Sequence, residues 1–289
     1  MVEVKAVACE LPWSSGVALS RWSRGELARE VVQRGIVARI SGTTIWRWLS
    51  EDAIKPWQHR TWIFPRDPDF EVKAARVLDL YQGVWENLPL RDDEYVISAD
   101  EKTSIQARVR IYPTAPPGAS QPMRVEHEYA RGGALAYLAA WDVRRARVFG
   151  RCEPKTGIRP FDRLVAHVMG QEPYRSARRV FWIVDNGSSH RGAPSVVRLQ
   201  NTWPNLTLVH LPVHASWLNQ VEIYFSIIQR KVLTPNDFTS LDDVATRLLA
   251  FENRYEEIAK PFAWKFTRDD LSRLLAEAST IKEPERKVA

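Results

Sequence analysis

Three carboxylates stand out by what surrounds them. Asp100 closes the apolar run Tyr95-Val-Ile-Ser-Ala, and Asp185 closes the still more apolar run Val180-Phe-Trp-Ile-Val. Both runs read as strands, so each acid is placed where a side chain leaves the core at a rigid position, the favoured location for ligand and catalytic groups in α/β sheets. The third, Glu222, lies in a segment where Leu218, Val221, Phe225, Ile228 and Val232 recur at helical spacing. Glu222 borders that apolar stripe, and a carboxylate at a core edge needs a counter-charge, which a metal ion can supply. Three carboxylates without Cys suit hard divalent cations, Mg²⁺ or Mn²⁺, and hence phosphoryl chemistry. Two such ions about 4 Å apart can activate an attacking oxygen and stabilise the leaving oxygen of a phosphodiester. Each acid alone has an ordinary alternative, as a turn former, helix cap or boundary residue, and only the joint arrangement favours chemistry.

The elements that must position these acids occupy residues 67–289. A helix is expected from about Phe70 to Tyr81. Strands follow at Glu94–Ala99, Ser104–Ile111, Ala134–Trp141 and Arg147–Arg151, with a loop rich in Pro, Gly and Arg over 112–133. A helix near Phe161–Met169, the strand ending at Asp185, a helix near Ala193–Asn201, a strand at Leu206–Leu211 and one long helix over Trp217–Leu233 complete the alternation. Two further helices are expected at Leu241–Tyr255 and Asp269–Ala278. Hairpin-linked strands followed by strand–helix alternation define an α/β fold, a mixed sheet flanked by helices on both sides.

Residues 1–66 have a different texture. They hold ten Lys and Arg against six Asp and Glu, a surplus of four in a chain whose net charge is +6. A basic head on a near-neutral body suits polyanion binding. Arg24–Gly35 reads as one helix, and Ser41 caps a second in which Ile45, Trp48 and Leu49 form an apolar stripe while Thr43, Thr44 and Arg47 face outward. Helix, short turn and a helix with small polar residues at its start form the helix-turn-helix pattern, which presents that second helix to base edges; any small helical bundle shares it. The linker after it, Ile54–Asp69, mixes Pro, aromatic and basic residues, and His59 and Arg60 within it could follow a phosphate backbone or pin the linker to a neighbour. The start lacks a signal-peptide pattern and no apolar run approaches the ~18 residues of a membrane span. Two cysteines, Cys9 and Cys152, are too few for a disulfide framework or zinc cluster. These features exclude membrane and secreted disulfide classes and point to a cytoplasmic protein.

Three blocks, Ser98-Ala-Asp-Glu-Lys-Thr, Val184-Asp-Asn-Gly-Ser-Ser-His and His214-Ala-Ser-Trp-Leu-Asn-Gln-Val-Glu-Ile-Tyr-Phe-Ser, resemble the signature blocks of the DDE transposases of the mariner superfamily, more closely its bacterial insertion-sequence branch. The 36 residues between Asp185 and Glu222 suit that family. The resemblance covers about residues 10–275. It implies a ribonuclease H-like fold with a five-stranded sheet, with Asp100, Asp185 and Glu222 as the metal-binding triad for a pair of Mg²⁺ or Mn²⁺ ions. It further implies strand cleavage at transposon ends by water, then attack of the freed 3′ hydroxyl on target DNA by a homodimer in complex with double-stranded DNA. A bacterial origin and association with the nucleoid go with it. Within the blocks, Asn186, His190, Asn219 and Gln220 could orient water, phosphate or the carboxylates, or act as loop and capping contacts. Lys102 could pair with the scissile phosphate or be a solvated strand end. Family members carry two helix-turn-helix modules and only the second is matched here, so the resemblance implies an N-terminally shortened chain.

Two other functions fit the same residues. A ribonuclease H-like nuclease acting on hybrids or structured DNA would use the same acids but would not need a helix-turn-helix head. A catalytically inactive remnant acting as a DNA-binding protein would explain the shortened head but not the intact acids.

Overall fold

The computed structural model describes residues 1–59 and 64–280. The chain divides into two compact units, Met1–Phe64 and a second beginning at Pro65.

The first unit contains α1 (Val2–Ala8), α2 (Arg24–Gln33) and α3 (Gly42–Glu51). Ser23 and Ser41 cap α2 and α3, each hydroxyl accepting from the backbone N–H three residues on, Glu26 and Thr44, at 3.1 Å. Val4, Val7, Trp22, Leu27, Val31, Ile45 and Leu49 form its core. Helix α1 was not expected from the sequence.

The second unit opens with α4 (Phe70–Tyr81) and a small hairpin of β1 (Val84–Trp85) and β2 (Leu88–Pro89). Its body is a five-stranded sheet of β3 (Glu94–Val109), β4 (Ala130–Asp142), β5 (Arg147–Glu153), β6 (Arg179–Val184) and β7 (Leu206–His210), in the order β5-β4-β3-β6-β7. Strand β4 runs antiparallel to β3 and β5, while β3, β6 and β7 are mutually parallel. Helices α5 (Ile158–Met169) and α6 (Gly192–Thr202) lie on one face. On the other face lie α4, α7 (Val221–Lys231), α8 (Leu241–Glu256) and α9 (Arg268–Thr280).

Side chains alternate across a strand. Tyr95, Ile97 and Ala99 therefore join the α5–α6 core, while Val96 joins the α7–α8 core. The same alternation in β6 sends Val180, Trp182 and Val184 one way and Phe181 and Ile183 the other. Asp100 and Asp185 continue the second set in their respective strands, so both belong to the face that α7 covers.

Two expectations need correcting. The strands expected at Glu94–Ala99 and Ser104–Ile111 are one strand, β3, which continues past Asp100 and pairs with β4 on both sides of it. Its register shifts between Lys102 and Ile105, and Ser104 takes a φ of 57°. That irregularity, a bulge, is what made one bent strand look like two. The long helix expected over Trp217–Leu233 is interrupted. A 3₁₀ turn at Ser216–Leu218 is followed by an extended Asn219, with φ −82° and ψ 113°, and α7 begins only at Val221.

Candidate active site

The register of β3 against β6 brings the two aspartates together. Glu94 pairs with Arg179 and Ser98 with Ile183, a constant offset. Carried two residues further, that offset sets Asp100 beside Asp185 on adjacent parallel strands, which run about 4.8 Å apart. Glu222 stands in the first turn of α7, over the same face.

Asn219 fixes α7 to β3. Fully buried, it donates from Nδ2 to the Ala99 carbonyl at 3.0 Å and to Asp100 Oδ2 at 3.3 Å, and accepts through Oδ1 from the Ser98 hydroxyl. The Ser98 oxygen in turn accepts from the Val221 N–H at 2.9 Å. These bonds require the extended backbone at Asn219, which is the physical reason the helix breaks there. Tyr81 of α4 adds a second tie, donating to the Leu218 carbonyl at 2.7 Å and accepting from the Gln220 N–H at 3.3 Å.

Asp185 is held from the other side. Its Oδ1 accepts from the Gly187 N–H at 2.7 Å and lies 2.6 Å from His190 Nε2. His190 is fully buried, its ring 4.7 Å from Phe161, and its Nδ1 lies 2.9 Å from the Ser189 hydroxyl. That hydroxyl donates to Glu101 Oε1 at 3.1 Å. Ligand atoms of Glu101, Asp185 and His190 all lie within 4.8 Å of one another, a grouping that does not include Asp100 or Glu222.

The electrostatics are those of a site short of positive charge. Burial pushes the Asp100 carboxyl up to about 8; the Glu101 amide opposes this, and repulsion from Asp185, Glu101 and Glu222 adds to it. Burial also raises Glu222, with Lys102 opposing and Asp185 reinforcing. Asp185 is lowered, first by its bond to His190 and then by the Gly187 amide. Mutual repulsion among Asp100, Asp185 and Glu222 means that these three charges sense one another, and such a cluster is relieved by protons or by a cation. Hard oxygen donors in this state fit a divalent ion. A cavity of about 430 Å³ opens beside Asp185 and Gly187, with Arg191, His214 and Ser216 in its wall.

Lys102 lies close enough to Glu222 to stabilise its charge. Asn186 turns away, donating to the Leu211 carbonyl at 2.8 Å, so it braces the loop after β6. Gln220 is buried, and its Oε1 has no hydrogen-bond partner among the described residues. In the first unit Thr43 and Arg47 are exposed on α3, whereas Thr44 is half-buried and its hydroxyl lies 3.0 Å from that of Ser41. Trp46 beside them is 48% exposed, unexpected for so large an apolar side chain. His59 is exposed, and Arg60 lies outside the described residues. Sequence reasoning missed Glu101 and Ser189; the position of Glu101 next to Asp100 was the available signal, but its contact with the β6 loop was not.

The family model of the DDE superfamily endonuclease matches residues 95–245. Among solved structures, the Mos1 transposase paired-end complex with left transposon end is similar at a TM-score of 0.56 and 13% identity, over 96% of this chain and 77% of that one. The Mos1 mariner paired end complex with Mn gives 0.56 and 14%, over 98% and 79%. The Mos1 strand transfer complex gives 0.55 and 13%, over 98% and 78%. At such identities the likeness is one of fold, and the fold shared is the ribonuclease H-like arrangement of a mixed five-stranded sheet between helices. No curated protein sequence matches the chain significantly. No helix among the described residues is long and apolar enough to cross a membrane.

Proposed function

Because the chain belongs to the family of DDE superfamily endonucleases, we propose that it is the transposase of a mobile DNA element, cutting strands at the element's ends and joining the freed 3′ hydroxyl to target DNA. The observation that carries this reading is the parallel register that sets Asp100 beside Asp185 on the face covered by Glu222 and α7. Solved neighbours with the same fold are described as paired-end and strand transfer complexes, which supports extending the reading from endonuclease to transposase.

In this reading Asp100, Asp185 and Glu222 hold the divalent ions, two of them, Mg²⁺ or Mn²⁺. Such ions, when bound, supply an activated attacking oxygen and neutralise charge on the leaving oxygen. The chain's own residues do the positioning. Asn219 locks Asp100 against the start of α7, so that the first and third acids move as one body. His190 and the Gly187 amide both engage Oδ1 of Asp185 and so orient its other oxygen as a donor. That bond also occupies His190 Nε2, which argues that His190 steers the carboxylate and is not itself a ligand. Lys102, whose charge opposes the rise of the Glu222 carboxyl, would meet the scissile phosphate. The first unit, with Thr43, Arg47 and His59 exposed, reads the element's end through α3, and two chains act together on a pair of ends. The resemblance of the sequence blocks to the bacterial insertion-sequence branch supports an element of that kind, which would put its work at the nucleoid.

The test is cleavage of duplex DNA bearing the terminal repeats that flank the gene, with Mg²⁺ present. The full chain is expected to release a 3′ hydroxyl at the element's boundary, and Asp185→Asn is expected to lose this by about a thousandfold or more. Equal cleavage by the variant would refute the mechanism.

A further inference from the structure

The stretch of β3 beyond Asp100 forms one side of a groove whose other side is the end of α7 and the segment leading to α8. Two adjoining cavities, of about 290 and 640 Å³, share Arg108, Gln229, Leu233 and Asn236 in their walls. The first begins at Lys102, two residues along β3 from Asp100. Lys102, Arg108 and Arg110 line it from β3 and the residue after it. Glu126, the acid in the same walls, is turned onto the backbone N–H groups of Ile111 and Tyr112 at 3.0 and 2.9 Å. The groove is therefore basic in net character.

Its construction is rigid. Asn236 donates from Nδ2 to the Gln106 carbonyl at 2.7 Å and accepts through Oδ1 from the Arg108 N–H at 3.0 Å, closing the edge of β3 as a strand would. Arg110 donates to the Asn236 carbonyl and to the Glu126 carbonyl, so its charge is tied down. Arg108 differs. Its guanidinium carbon stands 4.8 Å from the centre of the Tyr129 ring, and its Nε–H is buried without a hydrogen-bond partner among the described residues. A buried, charge-bearing donor left unpaired is costly. Arg108 lines both cavities and its guanidinium lies beside an aromatic ring, which places its terminal N–H groups to meet an oxygen anion there.

Resting on the transposase reading, we propose that this groove is the track for a DNA strand adjoining the scissile bond, and that Arg108 grips one of its backbone phosphates. Arg108 lies six positions along β3 from Lys102, at most about 20 Å at the usual rise, since the strand is irregular between them. At ~3.4 Å of helix axis per phosphate, that spans at most about six nucleotides of one strand. Lys102 thus meets the strand at the reacting centre, and Arg108 holds it several nucleotides away. The strand can be the DNA flanking the element's end or the target DNA, since both present the same phosphodiester chemistry.

Two variants of the full chain test this. Arg108→Gln removes the grip; Gln229→Glu places a negative charge on the groove's exposed rim at the cost of one exposed bond to the Thr234 hydroxyl. Binding of duplex oligonucleotides is measured by fluorescence anisotropy over a range of salt. Cleavage of intact ends and joining of pre-cleaved ends to a target are then followed separately. Both variants are expected to weaken binding roughly tenfold, and for Arg108→Gln the slope of log affinity against log salt should be shallower by about one. KM for DNA should rise with kcat little changed. A KM effect confined to cleavage assigns the groove to flanking DNA, and one confined to joining assigns it to the target. If Gln229→Glu matches the parent in affinity, salt slope and both KM values, the groove is not a DNA track, whatever Arg108→Gln does. If the parent itself fails to cut or join, the transposase reading falls, and the salt slopes still decide whether the groove binds DNA.

Discussion

Replacing Asn219 tests whether the buried frame between β3 and α7 is what holds the acids in place. Its side chain is fully buried and makes three hydrogen bonds, to the Ser98 hydroxyl, the Ala99 carbonyl and Asp100 Oδ2. Each buried bond contributes about 1 kcal/mol net, and groups left unpaired cost more. Adding a small cavity, Asn219→Ala should destabilise the second unit by roughly 3–4 kcal/mol. Asn219→Asp is nearly isosteric and keeps an acceptor for Ser98. It turns a carboxylate toward the Ala99 carbonyl and Asp100, however, and should cost no less than alanine. Urea unfolding followed by tryptophan fluorescence gives both values, since the chain has 12 tryptophans. With Asp100 released from its donor, divalent-ion affinity should fall by about 10- to 100-fold. A loss of less than about 1 kcal/mol for alanine, or an aspartate variant as stable as the parent, would refute the frame.

Three further outcomes follow from other parts of the molecule. Glu252 of α8 accepts from the Tyr137 hydroxyl at 2.7 Å and the Gly150 N–H at 3.1 Å, and burial raises it to about 7. Its protonated form suits the fold, so the stabilisation it gives is complete below about pH 4.5 and fades as pH rises through 7. Glu252→Gln should therefore gain on the parent by on the order of 3 kcal/mol between about pH 4.5 and 8; a gap that does not change with pH would contradict this. Gly150 faces the same pair, and a Cβ there would lie 1.9 Å from Glu252 Oε1 and 2.3 Å from the Tyr137 hydroxyl oxygen. Gly150→Ala should cost about 3 kcal/mol or more by urea unfolding, and a neutral result would mean that α8 does not pack there as described. In the first unit, Arg47→Ala on the exposed face of α3 should weaken binding to end DNA by about 1–3 kcal/mol, by gel shift, while leaving binding to unrelated duplex nearly unchanged. Equal loss on both DNAs would remove α3 from sequence reading.

Much of the fold was legible because its elements are locally consistent. Helix α4 and strand β6 follow from apolar periodicity alone, Phe70–Tyr81 and Arg179–Val184 as expected. The features that were missed depend on tertiary contacts. Nothing local at Ser104 announces a positive φ, so one bent strand read as two. The apolar stripe through Leu218 and Val221 continues the helical period across Asn219, and it is the bonds of its side chain to Ser98, Ala99 and Asp100, with the tie from Tyr81, that accompany the break in the helix. The acids themselves could be picked out because each ends or borders an apolar run. The link between their neighbours Glu101 and Ser189 could not, since that bond runs from β3 to the loop after β6. Arg108 looked like one polar position of an alternating strand, and its significance lies in what it lacks, a partner for Nε.

The central claim is that Asp100, Asp185 and Glu222 together hold the divalent ion, and calorimetric titration of Mn²⁺ into the full chain tests it most directly. Asp185 also belongs to the grouping with Glu101 and His190, so the deciding variants are those that the two sets do not share. Asp100→Asn and Glu222→Gln are each expected to weaken binding by roughly a hundredfold or more, while Glu101→Gln binds within about tenfold of the parent. Loss of binding in Glu101→Gln, with Asp100→Asn and Glu222→Gln binding as the parent does, would place the ion on the other side of Asp185 and contradict the account.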